Sequence, residues 1–110
     1  MSSITVNLRY TGKNGDALKF AREMMESGIV EEIRKEDGNL RYDYYQDLSD
    51  PETVLLIDSW RDQEAIDAHH ASGIMGKIAA LREKYDLHMS VERYRQDDEI
   101  PERDRAFIRQ

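Results

Sequence analysis

The residues with the clearest chemical potential lie between positions 58 and 72. Asp58 and Trp60 end a mostly apolar run, and His69 follows nine residues after the tryptophan. Because alternate residues of a strand share a face, the side chains of Asp58 and Trp60 are predicted to point the same way. His69 lies three residues after Ile66, which places it on the apolar side of a predicted helix. An aromatic wall beside one imidazole suits a planar organic ligand.

Other polar side chains are candidates for the same pocket, and each also has a structural interpretation. Trp60 and His69 could simply be core residues, with the histidine hydrogen-bonded. Asn7 offers an amide donor that could stabilise a developing enolate or phenolate, or it could face solvent on its strand. Tyr42 and Tyr44 share one strand face, where they would line either a pocket or a subunit interface.

A metal site is not expected from this sequence. His70 lies about 100° around the predicted helix from His69, so the two rings do not converge on one ion. Cysteine is absent, which excludes disulfides, thiolate ligands and a cysteine nucleophile. The charged residues between Glu31 and Asp37, Glu36 among them, are interpreted as a solvated surface.

Composition excludes several classes of function. The 110 residues include 23 acidic and 16 basic side chains, and the net charge is −7. A nucleic-acid or anionic-membrane binder needs a basic surface, so neither partner is expected. The most apolar run, residues 54–57, is far shorter than the roughly 20 residues of a membrane span. The N-terminus has no secretory pattern, and a soluble cytoplasmic protein is expected.

The elements that must position these residues follow the order β-α-β-β-α-β, which predicts a ferredoxin-like α+β fold with an antiparallel sheet. Strands are predicted over residues 4–10, 40–46, 53–60 and 87–94, and helices over 16–27 and 62–72, the latter continuing over 78–85. Asp16 and Asp62 are the predicted N-caps. Residues 29–35 are interpreted as a short strand or an extended connection.

The third predicted strand, residues 53–60, is apolar on both faces, so both faces of the sheet need a cover. Helices cover one face in this fold, and a homodimer that packs sheet against sheet is the simplest cover for the other. We divide the chain into a domain of residues 1–95 and a charged tail of residues 96–110. The tail is either a disordered end or an arm that lies on a partner subunit.

Several short motifs together resemble the antibiotic biosynthesis monooxygenase family. In that family a glycine, an aromatic residue, a strand ending in Glu-x-Trp, a histidine and a serine follow in this order. The residues that carry the resemblance are Gly38-Asn39-Leu40-Arg41-Tyr42, Asp50-Pro51, Asp58-Ser59-Trp60, His69 and Ser72. The resemblance covers residues 4–95 and implies a dimeric α+β barrel.

The family includes cofactor-free quinol and anthrone monooxygenases, haem-degrading enzymes and an isomerase-like branch that acts on a phosphorylated autoinducer-2 signal. Asn7 matches an asparagine of the haem-degrading branch, but residues 78–81 lack its axial histidine, so no haem is expected. Asp58 stands where the family has glutamate and is one methylene shorter, which bears on any contact with His69 or Arg93.

The resemblance implies a cofactor-independent monooxygenase that oxidises a small quinol- or anthrone-type substrate with O2. His69 would accept the substrate proton, Asp58 would set the tautomer of His69, and Asn7 would donate to the oxyanion. The residues predicted to bind substrate are Trp60, Tyr42, Tyr44 and Arg93.

Two alternatives stay open at this stage. The run from Glu36 to Arg41 is similar to the isomerase-like branch, and a phosphorylated substrate would need convergent cations, for which Arg9, Arg41 and Arg93 are the candidates. The third hypothesis is a non-catalytic dimer that binds an aromatic metabolite, which the aspartate at position 58 favours.

Overall fold

The computed structural model describes residues 2–109, in which four antiparallel strands form a single sheet. The strands are β1 (Ile4–Thr11), β2 (Asn39–Gln46), β3 (Thr53–Trp60) and β4 (His88–Arg95). Their order across the sheet is β2-β3-β1-β4. This arrangement confirms the predicted ferredoxin-like α+β fold, and each predicted strand lies within about one residue of its observed bounds.

The helices are α1 (Asp16–Glu26), α2 (Ile29–Arg34), α3 (Gln63–His70), α4 (Ile74–Lys84) and α5 (Glu102–Arg105). Asp62 caps α3 as predicted, because its Oδ1 accepts a hydrogen bond from the Ala65 amide at 2.9 Å. The predicted cap of α1 is wrong: Asp16 is the first helical residue, and Gly15 before it is the N-cap.

The interpretation of residues 29–35 as extended is wrong, because this segment contains helix α2. Gly28 adopts φ 87°, a left-handed conformation that ends the preceding helical direction and starts a new one. Ile29 and Ile33 lie one helical turn apart, and both are buried in the hydrophobic core. The helix therefore forms because its apolar side packs on the core, although its β-branched residues favour a strand.

The register of the sheet separates two faces. Val6 pairs with Asp58 on β3 and with Arg93 on β4, so these three residues form one row across the helix-covered face. Asn7 pairs with Ile57 and Glu92 and belongs to the opposite face. The core lies on the helix-covered side, where Tyr10, Leu56 and Trp60 are buried to within 2% exposure.

On the face without helices, Leu55 and Ile57 are partly exposed and lie outside the hydrophobic core. The homodimer that would cover them stays a prediction, as does the division of the chain at residue 95. The tail contains α5, and Phe107 beyond it is 88% exposed. Within residues 2–109 we find no helix with the length and apolar character needed to span a membrane.

Candidate active site

A cavity of about 230 Å³ lies between the helix-covered face of the sheet and helix α3. Its apolar walls come from Val6, Leu8, Ile66, Met89 and Val91. Trp60 adds an aromatic wall, and Asp58, His70 and Arg93 are its ionisable side chains. Small-molecule sites typically have this composition, with a few polar groups on an otherwise apolar surface.

Asp58 is the buried acid of this cavity and is only 6% exposed. Its Oδ2 accepts a hydrogen bond from Trp60 Nε1 at 3.2 Å. Its Oδ1 is buried and has no hydrogen-bond partner within residues 2–109. Burial raises the pKa of Asp58 to about 6, while the indole N–H and the nearby His70 oppose the rise. The result is a carboxylate suited to accept a proton near neutral pH.

Trp60 is the last residue of β3 and is 1% exposed. Its side chain shares a face with Asp58, as predicted from the alternation along the strand. The His69 ring packs against the indole with 4.7 Å between ring centroids and 30° between planes. The indole is therefore held at two places, at its N–H by Asp58 and over its ring by His69.

His69 lies behind Trp60 and lines a separate depression together with Glu36. Its Nδ1 is 2.8 Å from Glu36 Oε2 and 3.1 Å from Oε1. Because a carboxylate only accepts, the hydrogen belongs on Nδ1. The predicted contact of His69 with Asp58 is wrong, since Glu36 sets the tautomer of His69 and Asp58 is hydrogen-bonded to Trp60. The interpretation of Glu36 as a solvated charge is also wrong, because its side chain is only 23% exposed.

Gly38 allows Glu36 to approach α3 this closely. Gly38 has φ +85°, and a Cβ at this position would lie 2.5 Å from the Ala65 Cβ. The Gly38 carbonyl accepts a hydrogen bond from the Arg61 amide at 2.8 Å, which ties the turn to the end of β3. The turn therefore packs against the first turn of α3, and Glu36 reaches His69.

His70, which the sequence interpretation did not place in the pocket, lies on the cavity side of α3. It follows Ile66 by four residues, and both side chains line the cavity. The spacing of four residues from Ile66 could have indicated that His70 faces the cavity. His69 lies three residues from Ile66, however, so spacing alone did not distinguish the two histidines.

Arg93 lies at the end of the cavity away from Asp58, with Val6 between them in the sheet. Its Nη2 donates a hydrogen bond to Gln63 Oε1. Gln63 is held in turn by Asp67 Oδ1 at 2.9 Å from its Nε2. The guanidinium is therefore positioned by the first turn of α3, and within residues 2–109 it forms no ion pair.

The other predicted site residues lie elsewhere. Asn7 is on the uncovered face, with the sheet between it and Trp60. Tyr42 and Tyr44 are on the covered face, where their rings meet edge to face at 6.0 Å, but neither lines the cavity. Burial raises the pKa of both phenols well above the usual range, so both stay neutral donors.

Tyr44 also lines a larger groove of about 470 Å³ between α1 and β2. The carboxylates of that groove, Glu26 and Asp43, are at the surface, so the groove lacks the buried acid that marks the smaller cavity.

The three arginines predicted to bind a phosphorylated substrate do not converge. Arg9 and Arg41 belong to the uncovered face, where they pair with Leu55 and Ser59 in the sheet. Arg93 belongs to the covered face, so one phosphate cannot contact all three. Among the His, Asp and Glu residues in the described part of the chain, no group of three or more is placed to hold a metal ion.

Comparison with known proteins gives one family. A family model described as antibiotic biosynthesis monooxygenase matches residues 3–81. The protein YcnE of Bacillus subtilis (strain 168) is 28% identical over 53 residues, which are 44% of this chain and 56% of that relative. The match thus spans about half the length of this curated relative.

Solved structures have the same fold. A Deinococcus radiodurans protein superposes with a TM-score of 0.76 at 19% identity, covering 89% of this chain and 96% of the other. A conserved protein from Methanosarcina mazei Go1 gives 0.74 at 28% identity, with coverage of 88% and 95%. SnoaB, a cofactor-independent oxygenase from Streptomyces nogalater, gives 0.74 at 14% identity, with coverage of 93% and 100%. The likenesses to the first and third, both under 25% identical, show the fold alone.

Proposed function

Because the chain belongs to the antibiotic biosynthesis monooxygenase family, we propose that it oxidises a small quinol-type aromatic with O2, without a cofactor, in the cavity beside Trp60. The observation that carries this proposal is the free Oδ1 of Asp58, a buried carboxylate oxygen with no partner within residues 2–109. A buried polar atom without a partner favours a ligand that supplies the missing hydrogen bond. A phenolic hydroxyl is such a donor.

The first step is proton transfer from the substrate hydroxyl to Asp58 Oδ1. A pKa of about 6 leaves most of the carboxylate ionised at neutral pH, and burial still makes it a stronger base than an exposed aspartate. The resulting phenolate is electron-rich and reduces O2 directly. In the overall balance a quinol and O2 give a hydroxyquinone and water, so one oxygen atom joins the ring and the substrate provides the electrons.

Asp58 replaces His69 as the proposed base. His69 Nδ1 is occupied by Glu36 and the ring packs on the far side of Trp60. Asp58 instead lines the cavity, and its buried Oδ1 has no hydrogen-bond partner within residues 2–109. His69 is then a positioning residue for the indole wall. Apolar side chains form most of the cavity lining, and apolar surroundings on the reacting ring limit side reactions of a reduced oxygen intermediate.

Oxygen uptake by metal-free protein with a panel of hydroquinones and naphthoquinols, compared with autoxidation in buffer, tests the proposal. Asp58→Asn keeps the size of the side chain and the acceptor for Trp60 Nε1 but removes the base. We expect kcat/KM to fall about 100-fold or more. Asp98→Asn in the exposed tail is the matched control. No uptake above autoxidation across the panel, or an undiminished rate in Asp58→Asn, would contradict the proposal.

A further inference from the structure

We infer that the substrate is a single aromatic ring with a hydroxyl at one end and a carboxylate at the other, the carboxylate being bound by Arg93. The inference rests on the proposed function and names the substrate class of the same cavity. It is carried by the placement of one buried acid and one arginine at opposite ends of a small apolar space.

The register fixes that placement. Asp58 and Arg93 flank Val6 in one row across three adjacent strands. Neighbouring strands are about 4.8 Å apart, so the two backbones are separated by about 10 Å. Both side chains point to the same face of the sheet, and the floor between them is apolar. One ring lying on Val6 spans this distance with a polar group at each end.

The volume of the cavity limits the number of rings. Pockets that hold drug-sized ligands measure roughly 300–1,000 Å³, and this cavity measures about 230 Å³. The space suits one substituted ring, while three fused rings of an anthrone would project beyond it. Trp60 and Ile66 are buried and bound the space on the side of the helix, so a larger ligand cannot extend in that direction without displacing core residues.

The charges around the cavity favour an acid at the end formed by Arg93. The protein carries a net charge of −7, which repels anions at long range, so an anionic ligand needs a local cation. Arg61 near the same end of the sheet pairs with Asp37 and Asp62. Arg93 instead contacts the neutral Gln63, and no carboxylate of residues 2–109 forms an ion pair with it. A guanidinium also binds a carboxylate through two parallel hydrogen bonds.

The same charges select one orientation. Asp58 repels a substrate carboxylate and accepts from a hydroxyl, whereas Arg93 attracts the carboxylate. The ring is therefore expected to bind with the reacting hydroxyl at Asp58, which would restrict oxidation to that end of the molecule.

Trp60 is the single tryptophan of the chain and lines the cavity, so its fluorescence reports binding without turnover. We would titrate the protein, without oxygen, with 2,5-dihydroxybenzoate and with its methyl ester. The acid is expected to bind about tenfold more tightly than the ester. In Arg93→Met the preference is expected to fall to twofold or less, in Arg93→Lys to be intermediate, and in the control Arg95→Met to persist.

Equal affinities of the acid and the ester in the unaltered protein would overturn the inference, as would a preference that persists in Arg93→Met. Oxygen uptake with the same two compounds separates this inference from the proposed function. Binding that depends on Arg93 but consumes no oxygen with any quinol contradicts the proposed function alone. Uptake that is as fast with the ester as with the acid contradicts the inference alone.

Discussion

His69 and His70 are adjacent in the chain but lie in opposite surroundings. His69 is 5% exposed, packs on Trp60 and binds Glu36. His70 is exposed at the cavity, where its proximity opposes the rise in the pKa of Asp58. One residue of helix rotation therefore separates a histidine that supports the aromatic wall from a histidine that can meet a ligand. The difference shows that the residue type alone does not identify the functional imidazole; the helical phase does.

Replacing each histidine by alanine should show the largest difference between the two positions. His69→Ala removes the ring that packs on Trp60 and leaves the Glu36 carboxylate without its partner, so we expect a loss of about 2–4 kcal/mol in the free energy of unfolding. His70→Ala should change it by no more than about 0.5 kcal/mol, because the side chain is exposed. Urea denaturation measures both. Equal losses would mean that the two surroundings are energetically alike.

Replacing Asp58 should have the opposite effect to replacing His69, because it should raise the free energy of unfolding. Its folded-state pKa of about 6 lies above the ordinary value of 3.8, so the folded state favours the protonated form. The stability that this contributes is fully present below about pH 4 and is lost as the pH rises through 6. Asp58→Asn is therefore expected to be about 1–3 kcal/mol more stable than the unaltered protein at pH 7, with the gain vanishing near pH 4.

Urea denaturation of the unaltered protein and Asp58→Asn between pH 4 and 8 checks this expectation. The activity profile gives a second measurement, because kcat/KM should rise with pH through about 6 as the base ionises. A stability difference that does not change with pH would show that the pKa of Asp58 is not raised by folding.

Glu36→Gln should have the smallest effect of these substitutions, and it tests whether His69 positions the indole of Trp60. The amide oxygen can accept from Nδ1 but forms a weaker hydrogen bond than the carboxylate, so the indole should loosen and its emission should shift to longer wavelength. We expect kcat/KM to fall about threefold to tenfold, with KM changing less than kcat. Glu64→Gln, an exposed neighbour on the same depression, is the matched control. Identical emission and kinetics in the two variants would deny Glu36 a positioning role.

Local sequence patterns were sufficient to predict the strands and the N-cap of α3. Alternation predicted β1, β2 and β4 and the shared face of Asp58 and Trp60, and a short apolar run predicted β3, because both patterns depend on a residue's immediate neighbours. Alternation also contained the signal for Asn7, which alternates with Val6 and Leu8 and so had to face away from the apolar side.

Features that depend on tertiary contacts were not predictable in the same way. Helix α2 forms because Ile29 and Ile33 pack on a core built from distant segments. Glu36 meets His69 across 33 positions of sequence, and only the assembled fold brings the two together. Strand and helix periodicity predicted that His69 and Trp60 share a space, and their rings do pack together. The contact of His69 with Glu36 was not predictable in this way, because it depends on how the turn before β2 packs on α3.

Gly38 sets the distance between the turn before β2 and helix α3, and this distance can be followed by comparing related sequences at that position. Any side chain there would widen the gap between turn and helix, and the widening would reach Trp60 through Glu36 and His69 in succession. The residue contributes no reactive group, yet the thickness of this layer of the protein depends on it. A glycine kept at this point in a related sequence would accordingly be evidence of an unchanged separation between two elements, and a larger residue would be evidence that the tryptophan wall is supported differently.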